Sequence, residues 1–201
     1  MTKRAFEWTA EEYIDLGRID DRSAKHVLVP VAVAAKSLGY EQPTIRAHVR
    51  QGKLTEIIID CDGHKVKGIA LASIREALRA REARIADLKE PIRDVIWHTG
   101  SETVEYGKLM AAVGLSSNNP HDRRLIGSAL DGLSRDSLKC EGFLISALVV
   151  LKSTGRPSDG FYKLARINGL GQNQSDDVIW HNQMRLIRCW FDPHASLATF
   201  E

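Results

Sequence analysis

The chain has little of several features that define large classes of protein. It contains only three cysteines in 201 residues, Cys61, Cys140 and Cys189, and none of them forms a CxxC pair. An odd number of cysteines that are far apart in the sequence argues against a disulfide framework and against a zinc site. The net charge is only +2 and aromatic residues make up 6% of the chain. A diffuse polybasic binder is therefore excluded.

The sequence also lacks a signal-peptide pattern and an apolar run long enough to cross a bilayer. Within residues 1–25, acidic side chains outnumber basic ones, which argues against a targeting role. Hydrophobic residues nevertheless make up 43% of the chain, enough for real cores and too much for a disordered protein. We therefore expect a folded cytoplasmic protein without membrane association.

Motifs that carry catalysis are missing as well. The seven histidines never stand at HxxxH spacing, and there is no Walker loop and no GxGxxG. His121-Asp122 is better explained as a favourable acidic charge at a helix start. Glu141 and Lys152 flank a predicted strand but are too far apart for the Glu-x-Lys arrangement of metal-dependent nucleases. The sequence predicts no catalytic residues, no metal and no cofactor, and hence a protein that is not an enzyme.

Residues 30–79 carry the strongest pattern that is present. Gly39 suits the positive φ of a helix end, and Pro43 suits the first turn of a following helix. Ile45 and Val49, four residues apart, would face the core from that second helix. The first helix is predicted from four apolar residues at helical spacing: Val31, Ala34, Ala35 and Leu38.

A hairpin is predicted directly after these helices. Ile57 and Ile59 face Val66 and Ile69 across Asp62-Gly63, a dipeptide typical of tight hairpin turns. A third helix follows from Ser73. Two short helices, a tight joint, a hairpin and a third helix predict a winged helix-turn-helix.

These residues also carry a resemblance to a known family. The sequence Val33-Ala-Ala-Lys-Ser-Leu-Gly-Tyr, with Thr44-Ile-Arg and Arg50-Gln-Gly-Lys-Leu, resembles the helix-turn-helix of MerR-type and excisionase-type DNA-binding domains. The resemblance covers about a quarter of the chain and implies duplex DNA as partner. The wing departs from the family pattern because it reads Cys61-Asp-Gly-His-Lys-Val-Lys, without arginine or aromatic residues.

The outer face of the second helix supplies the first candidate DNA contacts. Arginine reads guanine with two hydrogen bonds, and glutamine reads adenine. Residues 26–90 carry 11 Lys/Arg and 8 Asp/Glu, a net charge of +3, as DNA binding requires. The alternative interpretation is a solvated charged face. The candidates on this helix and on the following turn and wing are Gln42, Thr44, Arg46, His48, Arg50, Lys53, Lys65 and Lys67.

The third helix, predicted over residues 73–88 with Ser73 as N-cap, allows two interpretations. Either Ile74 and Leu78 close the winged domain and the remainder is a solvated connector, or the helix is the dimer helix that the MerR resemblance implies. The second interpretation predicts a homodimer. Pro91 is predicted to end this helix and to mark the domain boundary. The apolar residues at heptad-like steps are Ile74, Leu78, Ile85 and Leu88.

Residues 91–201 repeat a similar order of elements. A final helix over 175–191 has an apolar and aromatic face that we assign to packing. The preceding order predicts a second winged helix. The predicted elements are a short helix stopped at Gly100, a strand over 103–106, helices over 107–113 and from Pro120 to about Ser134, a strand over 143–152, and a returning strand or short helix over 161–165.

This second half resembles a domain of uncharacterised bacterial and phage proteins through Tyr106-Gly-Lys-Leu, Leu144-Ile-Ser-Ala-Leu-Val-Val and Gly155-Arg-Pro. It is more loosely similar to the DNA-binding domain of alkylguanine alkyltransferases, but the reactive Pro-Cys-His-Arg of that family is absent. The resemblance implies a nucleic-acid-facing fold, with a protein partner as the alternative. Candidate contacts are Asn119, Arg123 and Arg124 at a helix start, and Lys152 and Arg156 beside a loop.

The sequence therefore predicts an α+β protein with two winged-helix-like domains, mainly helical with small β-hairpins. An N-terminal helix or arm occupies residues 1–25, with Thr9 as its cap, and the domains span 26–90 and 91–201. The predicted function is sequence-specific binding of double-stranded DNA, as a transcriptional regulator or an accessory factor of a mobile element. A DNA-processing or defence nuclease and a protein-binding adaptor or inhibitor are the alternatives.

Overall fold

The computed structural model describes residues 19–61 and 63–192, with the side chain of Cys61 outside the description. The predicted helix capped by Thr9 lies outside the described residues. The described chain mixes helix and strand and is mainly helical, which confirms the α+β class. It divides into two compact units, Met1–Glu82 and Ala83–Glu201. No helix within the described ranges is both long and apolar enough to span a membrane.

The first unit contains a helix-turn-helix followed by a hairpin. The three strands form one antiparallel sheet in the order β1-β3-β2. The hairpin register pairs Ile59 with Val66 and Cys61 with His64, so the turn has two residues, as predicted. Its elements are a 3-10 turn at Ser23–His26, β1 at Leu28–Val29, α1 at Val31–Leu38, α2 at Gln42–Arg50, β2 at Glu56–Cys61 and β3 at His64–Ala70.

The predicted end of α1, the predicted start of α2 and the predicted core face of α2 are confirmed. Gly39 has φ +68° and ends α1, and Pro43 lies in the first turn of α2. Ile45 is fully buried, whereas Val49 is partly buried against the same core. Buried residues from α1, the sheet and the next helix complete this core: Ala34, Ala35, Leu38, Leu54, Ile69, Leu71 and Ile74.

The third helix, α3, runs over Leu71–His98 and contains Pro91, so the predicted helix end at this proline is wrong. Pro91 is exposed, while Leu88, Ile92 and Ile96 are buried on the other side. The carbonyl of Asp87 loses its usual helix partner because proline has no N–H, but this part of the helix faces water. The buried side chains before and after the proline hold the helix together.

The start of α3 also differs from the prediction. The helix begins at Leu71, two residues before the predicted cap Ser73. The Ser73 hydroxyl instead donates to the carbonyl of Ala70 at 3.0 Å and accepts from the N–H of Thr55 at 3.2 Å. Ser73 therefore ties the chain entering β2 to the first turn of α3.

Replacing Pro91 with alanine is expected to stabilise the second unit by about 1–3 kcal/mol. Proline is about 3 kcal/mol less favourable than alanine inside a helix, and Pro91 is exposed and has no packing role to lose. Urea unfolding followed by tryptophan fluorescence measures the change. Glu90→Ala on the same exposed turn is the control, with an expected change within about 0.5 kcal/mol. Destabilisation by Pro91→Ala would contradict the prediction.

The second unit has its own core and a two-stranded sheet. Strands β4 and β5 pair in parallel, Val104 with Val149 and Glu105 with Val150. Within the described residues of this unit there is no antiparallel hairpin to serve as a wing. Besides the second part of α3, its elements are β4 at Val104–Glu105, α4 at Tyr106–Ala112, α5 at Pro120–Cys140, a 3-10 turn at Ile145–Leu148, β5 at Val149–Val150, α6 at Asp159–Ile167 and α7 at Asp176–Phe191.

Two predicted elements of this unit are corrected, and one open alternative is decided. The strand predicted over 143–152 instead contains a 3-10 turn at Ile145–Leu148, and only Val149–Val150 form a strand, β5. Of the two alternatives for residues 161–165, the structure has the helix, as part of α6. In addition, α5 continues to Cys140 instead of ending near Ser134.

Side chains explain why the buried 143–148 segment, before β5, needs no neighbouring strand. The amide oxygen of Gln183 on α7 accepts from the N–H of Leu144 at 2.7 Å. The Ser137 hydroxyl accepts from Ile145 N at 3.1 Å, and the Ser134 hydroxyl accepts from Ser146 N at 3.1 Å. These hydrogen bonds satisfy buried backbone groups that a β-ladder would otherwise satisfy.

The apolar stripe proposed for a homodimer is not available on the surface. Ile74 is fully buried in the core of the first unit, and Leu78 is partly buried against it. Leu88 is buried in the core of the second unit, and Ile85 packs against that core. The structure therefore supports closure of the winged domain by Ile74 and Leu78, but the predicted solvated connector is wrong, because Ile85 and Leu88 pack into the second unit.

Candidate nucleic-acid interface

The exposed side of α2 holds three of the predicted DNA contacts in one row. Gln42, Arg46 and Arg50 are all exposed and stand four residues apart, so each lies one turn beyond the last. Ile45, about 100° around the helix from Arg46, is fully buried and fixes the rotation of the helix. The row therefore lies beside the buried face of α2 and stays exposed.

Two other predicted contacts on α2 are less accessible. Thr44 and His48 are both partly buried. The ring of His48 packs edge-on against the ring of Tyr40, with 5.0 Å between the ring centroids. Tyr40 lies in the turn between α1 and α2, so His48 helps to hold the two helices in register.

The predicted phosphate contacts on the hairpin are exposed. Lys65 and Lys67 point to the same face of the sheet, and Lys65 lies directly across from Asp60. The Asp60 carboxylate also accepts from the N–H of Gly63 at 3.1 Å, which stabilises the turn. Lys53, just after α2, is exposed as well. The basic charge of the hairpin is thus partly balanced by one carboxylate.

A groove with a volume of about 500 Å³ runs between α2 and the sheet. Arg46 and Arg50 line one part of it, and Glu56 at the start of β2 brings a carboxylate to the same groove. Glutamate accepts hydrogen bonds from cytosine N4 and repels phosphate. The remaining lining residues are apolar: Val31, Pro43, Ile45, Val49 and Ile69.

Glu56 is a candidate base-reading residue that the sequence did not reveal. Nothing in its local pattern distinguishes it from other surface acids. Its place in the same groove as Arg46 depends on how the chain returns from α2 into β2.

In the second unit, the structure brings together only some of the predicted contacts. The Asn119 side chain accepts from the N–H of His121 at 3.0 Å and caps α5. Arg123 and Arg124 follow on the first turns of α5 and are exposed. Asn119 thus has a structural role, and the two arginines form the basic face of this helix start.

The other two predicted contacts lie in the loop after β5. Lys152 is exposed and lines a groove of about 430 Å³ together with Lys108 and Glu105. Arg156 forms an ion pair with Asp177 of α7, at 2.6 Å between Nη1 and Oδ1. Arg156 therefore links this loop to α7, whereas Lys152 forms no ion pair with the part of the chain that the structure describes.

Tyr106 is a further polar residue that was not predicted as a contact. Its hydroxyl donates to the carbonyl of Arg123 at 3.2 Å. Burial raises the pKa of Tyr106, and the charge of Asp131 raises it further, while Arg123 lowers it. Partial burial also raises the pKa of Asp131, against the effect of Arg135. The phenol thus stays a hydrogen-bond donor at neutral pH and anchors α4 to α5.

The described residues contain no group of three or more His, Cys, Asp or Glu side chains placed to hold a metal ion. Glu141 follows the last turn of α5, and Lys152 follows β5, so both flank the 143–150 segment as the sequence indicated. Cys140 and Cys189 are free thiols.

Comparisons with protein-family models, with curated proteins and with solved structures found no match to this chain.

Proposed function

We propose that the protein binds double-stranded DNA in a sequence-specific way, as a cytoplasmic transcriptional regulator or an accessory factor of a mobile element. The observation that carries this proposal is the exposed row Gln42, Arg46 and Arg50 on the second helix of a helix-turn-helix. The proposal assigns binding to the first unit and requires no catalytic group.

The dimensions of α2 fit this role. An α-helix fits the major groove of B-DNA, where each base pair presents its own pattern of donors and acceptors. The two arginines are suited to guanine and the glutamine to adenine. Because the three side chains rise along the helix by about 6 Å per step, they are placed to read successive positions within one groove.

The hairpin and the end of α2 supply the contacts that position a protein on DNA. Lys53, Lys65 and Lys67 are exposed cations, and contacts to phosphate fix register without reading sequence. Asp60 and Glu56 are acidic residues on the same unit, so the bound orientation has to keep them away from phosphate. This requirement favours a defined docking geometry over loose electrostatic association.

Arg46→Ala is expected to weaken binding to the preferred site by about 5- to 150-fold, because a base-reading arginine contributes about 1–3 kcal/mol. The preferred site is first selected from a pool of random duplexes with the full-length protein. The variant should also lose preference at one base position of that site. Arg135→Ala, an exposed arginine on α5, is the matched control and should bind like the natural protein. Unchanged affinity and preference in Arg46→Ala would refute base reading by α2.

A further inference from the structure

Strand β2 lies at the edge of the sheet in the first unit. The strand order is β1-β3-β2, so no strand of the described chain pairs with the outer side of β2. β2 covers Glu56–Cys61, pairs with β3 residue for residue without a bulge, and contains no proline and no lysine. Bulges, prolines and lysines are the usual means by which proteins protect a sheet edge from further pairing. β2 has none of these three protections.

The register of the sheet determines which backbone groups point to this edge. The N–H of Ala70 donates to the carbonyl of Thr55 at 2.9 Å, so these two residues form a hydrogen-bonded pair. In an antiparallel ladder, hydrogen-bonded and non-hydrogen-bonded pairs alternate. Glu56, Ile58 and Asp60 therefore stand at non-hydrogen-bonded positions of the ladder with β3. Their N–H and C=O groups point away from β3, toward the outer edge.

No backbone hydrogen bond within the described ranges uses the N–H or C=O groups of these three residues. All three residues are exposed. Along a strand, successive outward-pointing residues are about 6.8 Å apart, a repeat that another extended chain matches. A helix rises only about 1.5 Å per residue and bonds its own backbone, so it does not match. The edge therefore specifies a β-strand as its ligand.

Apolar side chains flank this edge on both faces of the sheet. Ile58 is 52% exposed on one face. On the other face, Ile59 is 42% exposed and lies directly across from Val66, which is 49% exposed. Because side chains alternate along a strand, a strand added beside β2 would cover apolar surface on both faces. Pairing at this edge would therefore bury apolar area in addition to forming backbone hydrogen bonds.

The acidic residues of β2 oppose pairing with a second copy of this chain. Glu56 and Asp60 lie on the same face as Ile58, two residues to either side. If two β2 strands pair antiparallel about a twofold axis at Ile58, Glu56 of each copy stands directly opposite Asp60 of the other. Like charges directly opposite each other destabilise a sheet. Registers that avoid this contact leave one of the three outward-pointing residues without a partner in the other β2.

The charges around the edge also select residues of the partner strand. A partner residue opposite Asp60 would lie about 5 Å from it, whereas the lysines of β3 are one strand further away, at about 10 Å. A cation is therefore favoured opposite Asp60. At Glu56 the situation differs, because Arg46 and Arg50 line the same groove as this carboxylate. A neutral residue is therefore favoured opposite Glu56.

We propose that the outer edge of β2, defined by Glu56, Ile58, Ile59 and Asp60, binds an extended segment of another protein as an antiparallel fourth strand. The segment carries β-branched apolar residues opposite Ile58 and Ile59, a basic residue opposite Asp60 and a neutral residue opposite Glu56. One short strand buries less than the roughly 800 Å² per partner of a standard stable interface, so a micromolar dissociation constant is expected. This inference does not depend on DNA binding by the first unit.

The test uses the full-length protein and a designed peptide, Thr-Lys-Val-Val-Val-Thr-Thr, blocked at both ends and followed by fluorescence anisotropy. In the proposed register its lysine lies opposite Asp60 and its central valine opposite Ile58. One version is N-methylated at its third and fifth residues, whose N–H groups point away from β2. The other is N-methylated at its second and fourth residues, whose N–H groups point toward β2. The first version should bind at least about 10-fold more tightly, because the second loses hydrogen bonds to the edge.

Variants of β2 test the same contact from the protein side. Ile58→Pro removes an N–H that points to the edge and no hydrogen bond to β3, and proline is tolerated at such edge positions. Ile58→Thr keeps the N–H and should bind the first peptide at least about 10-fold more tightly than Ile58→Pro does. Circular dichroism confirms that both variants fold.

The charge at the edge is tested by changing the lysine of the first peptide to glutamate. The natural protein should bind the glutamate peptide about fivefold more weakly. Asp60→Asn removes the charge but keeps a side-chain oxygen for the N–H of Gly63, which donates to Asp60 at 3.1 Å in the natural protein. This variant should lose the preference for lysine.

Equal binding of the two N-methylated peptides would show that the backbone of β2 is not the binding site and would overturn the proposal. Absence of binding by both peptides would overturn it as well. The proposal also fails if the protein alone has a mass near twice the 22.4 kDa of the chain and Ile58→Pro returns it to the mass of one chain. That result would identify a second copy as the occupant of the edge.

Discussion

Binding of the full-length protein to its preferred duplex is expected to weaken by about 500-fold between about 50 and about 200 mM salt. Five exposed cations of the first unit are proposed to reach DNA: Arg46, Arg50, Lys53, Lys65 and Lys67. Each neutralised phosphate releases counterions and adds about −0.9 to the slope of log affinity against log salt. Fluorescence anisotropy over a salt series should therefore give a straight line with a slope near −4.5.

Removing two of these cations separates phosphate contacts from general charge effects. Lys65→Ala with Lys67→Ala should reduce the slope to about −2.7, so that the same salt change costs only about 40-fold in affinity. Lys163→Ala removes an exposed cation from the second unit and should leave the slope unchanged. Affinity that does not respond to salt would rule out DNA binding by this basic surface. A full slope that survives both hairpin substitutions would place the phosphate contacts elsewhere.

Gly68→Ala is expected to destabilise the first unit by about 2–4 kcal/mol, because overpacking of this kind forces backbone shifts. A β-carbon at this position would lie 2.5 Å from Cδ2 of Leu28 and 2.6 Å from the carbonyl oxygen of Val29. The leucine end is able to turn away, but the Val29 carbonyl belongs to β1, which pairs with β3. The sheet must therefore separate to accept a single methyl group.

The control for this substitution is another glycine within a regular element. Gly127 lies inside α5, and a β-carbon there would meet no atom within 4 Å. Gly127→Ala should therefore stabilise the protein by about 0.5–1 kcal/mol. Urea unfolding by circular dichroism measures both changes, and amide hydrogen exchange locates the first in strands β1 and β3. Gly68→Ala with natural stability and natural exchange rates would contradict the tight packing of β1 on β3.

The prediction of the first unit from sequence worked well because its signals are local. The helix end at Gly39, the proline in the first turn of α2 and the two-residue turn at Asp62-Gly63 each depend on backbone preferences of a few neighbouring residues. The row of Gln42, Arg46 and Arg50 follows directly from helical periodicity once Ile45 is assigned to the core. DNA binding by this row remains our proposal.

The segment over residues 143–150 shows where sequence alone was insufficient. A short, continuous apolar run is compatible with a buried strand and with a buried turn, and periodicity does not separate the two. The decision came from Ser134, Ser137 and Gln183, whose side chains satisfy the backbone of this segment. Two of these residues precede the segment on α5 and one follows it on α7. These hydrogen bonds therefore cannot be predicted from the residues next to the segment.

Pro91 and the stripe on α3 show the same limit. Proline usually ends a helix, yet the burial of Leu88, Ile92 and Ile96 outweighs the loss of one hydrogen bond on an exposed face. From sequence, the stripe from Ile74 to Leu88 is compatible with packing in the protein's own core and with packing against a second copy. Only the folded structure determines which core each of these residues joins.

By itself, the sequence determined the α+β class, the helix-turn-helix and the outward row on α2, because turn residues and helical period act within a few positions. Tertiary structure alone decided that Glu56 and Arg46 line one groove and that Trp190 and Leu186 stay exposed on α7. Burial of an apolar side chain stabilises the fold, but its apolar character does not specify which other segment covers it. That choice depends on contacts between segments distant in the chain, where packing and hydrogen bonding outweigh local preference.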